Sequence, residues 1–81
     1  MLESFPIEKY VEFDNEPWHM GRIVVHKVRE TFHVEVDVIN KESHKIYRHI
    51  ASLYSFDDPS DALEMGYREL RLKVGLKQDS V

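Results

Sequence analysis

FHVEVDVI, residues 32–39, decides the fold. Phe32, Val34, Val36 and Val38 alternate with His33, Glu35 and Asp37. A period of two with β-branched residues on one side is the mark of a strand buried on one face only.

Residues 20–28 precede it and are also rich in Ile and Val. Arg29-Glu30 joins the two runs, which suggests a hairpin. With Val28 opposite Thr31, Val25 meets Val34 and Ile23 meets Val36 on one face. On the other face His26 meets His33, Val24 meets Glu35 and Arg22 meets Asp37. A one-residue slip would move Arg22 and His26 onto the apolar side, so the first register is expected. Arg-Glu is poor chemistry for a two-residue primed turn, which favours Gly or Asn, and a four-residue loop fits the same register.

Residues 40–44 are polar and read as the next turn. Residues 45–56 read as a third strand whose facing stays open. One parity aligns Ile46, Arg48, Ile50 and Tyr54; the other aligns Tyr47, His49, Ala51 and Leu53.

A helix follows over 57–76. Asp58 suits the N-cap, Pro59 the first helical position, and Asp61 the positive end of the dipole. Leu63, Tyr67, Leu70 and Val74 follow at helical spacing and form one face. Ala62 and Gly66 flank that stripe and allow a close approach to the sheet. Glu64/Arg68 and Glu69/Lys73 are i,i+4 pairs in the favourable order. Gly75 is a candidate C′ residue, with Leu76 closing the cap.

Residues 6–13 fit either a short helix or an edge strand. Residues 14–17 read as a loop, and Trp18 is expected to anchor the start of the sheet. The expected fold is therefore α+β: a three-stranded antiparallel meander over 19–56 with a C-terminal helix on one face. Residues 1–18 form an N-terminal segment and 77–81 a tail, all within a single domain.

Composition sets the outer bounds. An 81-residue chain buries only about 60–65% of its unfolded surface, so its core is small. There is no cysteine, which removes disulfides and thiolate metal sites and fits a reducing, cytoplasmic setting. The start, Met1-Leu2-Glu3, lacks the basic and apolar blocks of a secretory signal. Ile23-Val24-Val25, the longest run of bulky apolar residues, is far too short to cross a bilayer. The net charge is −4. Bases gather in the middle of the chain (Arg22, Lys27, Arg29, Lys41, Lys45, Arg48), while both ends are acidic. That distribution is a poor footprint for nucleic acid, which is bound largely by phosphate neutralisation.

Few residues carry chemistry by pattern. In the expected register His26 and His33 are cross-strand neighbours with Glu35 on the same face. Two imidazoles and a carboxylate are zinc-type ligands, but a solvated polar sheet face that carries two histidines is the preferred reading. Asp57, Asp58 and Asp61 sit where helix capping accounts for them. Ser43-His44, Ser52 and Ser60 belong to no nucleophile motif, and there is no glycine-rich phosphate cradle. Met65, Leu72 and Leu76 fall roughly opposite the core stripe of the helix. The N-terminal segment, a second copy or another protein would cover them, or they are ordinary exposed residues.

Two resemblances follow from these residues. With a helix at 6–13 the order α-β-β-β-α resembles the double-stranded-RNA-binding domain. The start of the last helix, Asp57-Asp58-Pro59-Ser60-Asp61, is acidic where that family is basic, so its function does not carry over. The run from Phe56 through Asp57, Asp58, Pro59, Ser60, Asp61, Ala62 and Leu63 to Gly66-Tyr67 resembles HicB-like antitoxins and other short bacterial proteins. That resemblance implies a small bacterial accessory domain without a particular activity.

The sequence thus leads to a non-enzymatic protein-interaction domain, with itself or another protein as partner. It suggests no cofactor, metal, catalytic residue or membrane. The alternative is weak nucleic-acid binding through Arg22, Lys27, Arg29 and Arg48. If the Met65/Leu72/Leu76 stripe makes a dimer, Leu72→Glu lowers the apparent mass in light scattering; an unchanged mass with the fold intact removes that interface.

Overall fold

A computed structural model describes residues 5–13 and 16–74. The elements run β1 (Ile7–Glu12), β2 (His19–Val28), β3 (Thr31–Asn40), β4 (Ile46–Phe56) and α1 (Pro59–Val74). The strands form one antiparallel sheet in the order β1-β2-β3-β4. No helix among the described residues is long and apolar enough to cross a membrane.

The expected three strands are four. Residues 6–13 take the strand alternative, and the element order is β-β-β-β-α. The reason is positional: Ile7 lies opposite Val25 and Val11 opposite Gly21, so both join the apolar face begun by β2. Phe5, Ile7, Val11 and Phe13 all pack against the core cluster.

The β2–β3 register is the expected one along its whole length, with Ile23 opposite Val36, Val25 opposite Val34 and Val28 opposite Thr31. Ile23, Val25, Val34 and Val36 are fully buried under the helix. The hairpin closes through the two-residue Arg29-Glu30 connection. Arg29 adopts φ 59°, the left-handed conformation usually left to glycine. A positive φ at the first central residue is the sign pattern of a type II′ turn, which suits the twist of the flanking strands. Thr31 Oγ1 donates to the Val28 carbonyl at 3.1 Å and ties the two strands at the turn.

β4 explains why its facing could not be read. The register against β3 shifts between Phe32 and Val34, between Val36 and Asp37, and between Val38 and Ile39. Each shift inserts an extra residue in β4 and reverses its parity. Ser55, within the first shift, has φ 65°. As a result Ile50, Leu53 and Phe56 join the core cluster at a spacing of three. Ile46, His49 and Ser52 pair with Ile39, Asp37 and Glu35, on the face away from the helix.

The helix begins as expected. Asp58 Oδ1 accepts from the Ser60 N–H at 2.9 Å, an N-cap bond, and the Asp58 carbonyl accepts from Ala62 N–H at 3.1 Å. Lys73 pairs with Glu69 at 3.4 Å. The centre of the buried stripe differs from the expectation. Ala62, Gly66 and Leu70 are the buried residues, while Leu63, Tyr67 and Val74 are half-buried at its margins. Small residues set that choice, because they bring the helix axis closest to the sheet. A Cβ on Gly66 would lie 2.8 Å from Ile23 Cγ2 and 3.1 Å from Val34 Cγ2. Gly21 lets Leu70 down in the same way, since a Cβ there would run into the Leu70 side chain. Gly75 and Leu76 lie outside the described residues, and with them the expected cap.

Two substitutions test this account. Gly66→Ala gains about 1 kcal/mol of helix propensity, against an overpacking cost of about 1–3 kcal/mol. A lower melting temperature is expected; an unchanged or raised one shows that the helix can shift away without loss. Arg29→Gly removes a left-handed cost of about 1–2 kcal/mol and loses about 0.4–1 kcal/mol through a freer unfolded chain. Thermal denaturation should show a small rise, and a fall would contradict the turn geometry.

Candidate functional site

Among the described residues no element packs on the face of the sheet away from the helix, yet parts of it are buried. Val24, Asp37 and Ile39 all lie on it with almost no exposure. The β3–β4 turn reaches over this face. His44 N–H donates to the Asn40 carbonyl at 2.8 Å and closes that turn. From there the His44 ring reaches the Tyr10 ring, with centroids 5.9 Å apart. Lys41 Nζ reaches Glu12 Oε1 at 2.6 Å, so the turn is tied to β1 across the width of β2.

A polar belt crosses all four strands at mid-sheet. Tyr10, Arg22, Asp37 and His49 occupy successive positions in it, each the register partner of the next. Tyr10 Oη donates to Glu8 Oε1 at 3.0 Å and Arg22 Nη2 donates to Glu8 Oε2 at 3.2 Å. The Tyr10 hydrogen bond, followed by the Arg22 hydrogen bond and charge, holds the Glu8 carboxyl below its ordinary value. The same bond to Glu8 pushes the Tyr10 phenol up. Arg22 Nε is buried with no hydrogen-bond partner, and Asp37 stands directly opposite with the compensating charge.

The far end of the belt is an ordered relay. Asp37, only 4% exposed, places Oδ1 2.7 Å from His49 Nδ1. His49 Nε2 is 3.1 Å from Ser52 Oγ. A carboxylate only accepts, so in a neutral His49 the ring proton sits on Nδ1 and the Nε2 lone pair faces the serine hydroxyl. His49 and Ser52 are three apart and would occupy opposite faces of an uninterrupted strand. The register shift at Ile50 brings them onto one face.

The residues singled out from the sequence fare differently. His26 and His33 are cross-strand neighbours as expected. His33 meets Tyr54 edge-on at 5.0 Å, and Glu35 lies opposite Ser52. Among the described residues no three His, Cys, Asp or Glu side chains form a metal-holding group. Met65 is half-buried and Leu72 exposed, and both line an open groove with Glu64, Arg68 and Arg71. Leu76 lies outside the described residues. Arg22, Lys27, Arg29 and Arg48 do not converge. Arg22 is bound to Glu8 on the outer face, and Lys27 sits near Phe32 beside the Arg29 turn. Arg48, on the opposite edge strand, pairs with Val38 towards the other end of the sheet.

Trp18 corrects the expectation of an anchor. Its carbonyl accepts from Lys41 N–H at 2.9 Å, so the backbone does extend the sheet. The residue is nonetheless 72% exposed. It lines an open groove with Pro17, Asn40, Lys41, Glu42 and Ser43. The adjacent His19 ring packs on Tyr47 at 4.2 Å, and Tyr47 is 63% exposed beside exposed Ile46. This aromatic end of the sheet and the Asp37–His49–Ser52 relay are the features that sequence reasoning missed. The relay left no local signal, because a bulge assembles it.

The Glu8 contacts carry a pH prediction. A carboxyl with a depressed folded value contributes stability above its unfolded value, and that contribution is lost as pH falls through the folded one. Tyr10→Phe is expected to raise the Glu8 titration midpoint towards 4.5, and Arg22→Gln to raise it as well. NMR titration of the Glu8 side chain checks both; a midpoint unmoved by Tyr10→Phe contradicts the assignment.

Comparison with known proteins gives no match: no family model, no curated protein and no solved structure corresponds to this chain.

Proposed function

We propose that this is a protein-interaction domain that associates with a second copy of itself through the Trp18 end of the sheet. The observation that carries the reading is the exposure of Trp18, Tyr47 and Ile46 at the same end of the sheet, at 72%, 63% and 58%. Tryptophan and tyrosine in this setting are the usual anchors of protein interfaces.

Charge favours a second copy over a strongly charged partner. Glu16 accepts from the Trp18 N–H at 3.1 Å and pairs with His19 at 3.2 Å, while Glu42 and Lys41 line the groove. Lys41 is itself bound to Glu12. The patch therefore mixes both signs, and a two-fold interface can satisfy itself there. The helix groove is the less suitable face. A two-fold contact through Leu72 would bring Arg68 and Arg71 of both copies together with only Glu64 among its lining residues to offset them. A small core also gives an 81-residue chain reason to gain stability from association.

Nucleic-acid binding is the weaker reading, because its four cations lie on separate parts of the molecule and one is neutralised by Glu8.

Sedimentation equilibrium distinguishes the surfaces. A dimer is expected that Trp18→Ser or Tyr47→Ser dissociates at least tenfold more readily, with Leu72→Glu without effect. A monomer at all concentrations sinks the reading. Loss of the dimer in Leu72→Glu alone transfers it to the helix.

A further inference from the structure

We infer that Ser52 is an activated nucleophile, with His49 as its general base and Asp37 as the residue that positions the base. The site goes beyond the interaction reading and does not depend on it. Three relations coincide: Ser52 Oγ lies within hydrogen-bond reach of His49 Nε2, His49 Nδ1 within reach of Asp37, and Asp37 is nearly removed from solvent. Nucleophile, base and orienting group in that sequence of contacts is the arrangement that activates a serine.

Access matches the chemistry. The His49 side chain is 53% exposed, and Ser52 is half-exposed on an edge strand. A reactant approaching from solvent therefore meets hydroxyl and imidazole together, while the carboxylate remains behind them. The orientation is held from both sides. Arg22 on β2 is the register partner of Asp37, and the bulge at Ile50 is pinned because Ile50 packs into the core cluster. His49 is thereby kept on the Ser52 side of β4.

The reaction assigned is acyl transfer from an ester to Ser52. Ser52 Oγ forms a bond to the acyl carbon as its proton moves to His49 Nε2. The bond from the acyl carbon to the leaving oxygen then breaks, and that oxygen takes the proton from His49. Water reverses the sequence and releases the acid, so ester and water give acid and alcohol. A nucleophile and base suffice where the leaving group is good, which makes aryl esters the substrate class. Exposed Glu35, the register partner of Ser52, selects neutral or cationic acyl groups over anionic ones.

The test uses the full chain with a neutral fluorophosphonate and with 4-nitrophenyl acetate, read by intact mass and peptide mapping. A single adduct on Ser52 is expected, absent in Ser52→Ala. General-base assistance is worth about 100-fold or more, so His49→Gln should slow acylation by that factor while leaving the circular dichroism spectrum unchanged. Asp37→Asn should slow it as well. Because Asp37 is buried and its replacement puts the sheet itself at risk, the exposed His49→Gln variant carries the decision. Adducts spread evenly over Ser43, Ser52 and Ser60, no adduct at all, or a Ser52 adduct formed as fast in His49→Gln as in the native chain each overturn the proposal.

Discussion

The contact between Gly66 and the Ile23/Val34/Val36 surface governs the rest of the molecule. A sheet of four strands with one helix has a single interior, and its depth is set by how near the helix axis comes. Glycine at 66 and at 21 removes the Cβ atoms that would hold the two layers apart. Ile23, Val25, Val34, Val36, Ala62 and Leu70 then reach full burial. Fully burying a Val, Leu or Ile side chain is worth about 1.5–3 kcal/mol, so a wider gap would cost a small domain much of its stability. The β2–β3 register, the rotation of the helix and the placement of β1 all serve this one surface.

That dependence also explains what could be read in advance. The β2–β3 pairing was legible because both strands alternate without interruption and a slip would bury Arg22. The helix was legible from Asp58, Pro59 and its apolar spacing, but its rotation was off by part of a turn. Large side chains dominate a helical stripe on paper, whereas Ala62 and Gly66 dominate it where layers touch. β1 was open to two readings because six residues with two apolar positions carry little periodicity. β4 was legible as a strand but its facing was not, since three register shifts turn a period of two into an apparent period of three. Trp18 misled for a different reason: its backbone belongs to the sheet and its indole does not.

The same bulges that hid β4 build its chemistry. Asp37 was visible only as an outward-facing residue of β3, and Ser52 lacked any motif. Neither His49 nor Ser52 points to the other in sequence, because three residues along a regular strand reverse direction. The outer face thereby divides in two. Its β1 half carries the Glu8–Tyr10–Arg22 contacts and the Glu12–Lys41 pair, and its β4 half sets the Ser52 hydroxyl beside the His49 imidazole.

The two outer strands of the sheet have a further consequence for how the domain meets its own copies. A free strand margin is a template for another chain, and eleven residues of β4 would form a long one. Strand addition requires donors and acceptors at even intervals, and the shifts in β4 break that rhythm three times. β1 is short and presents Glu8, Lys9 and Glu12. Neither margin offers an even template for a growing cross-β stack, which leaves side-chain surfaces as the better contacts for another chain.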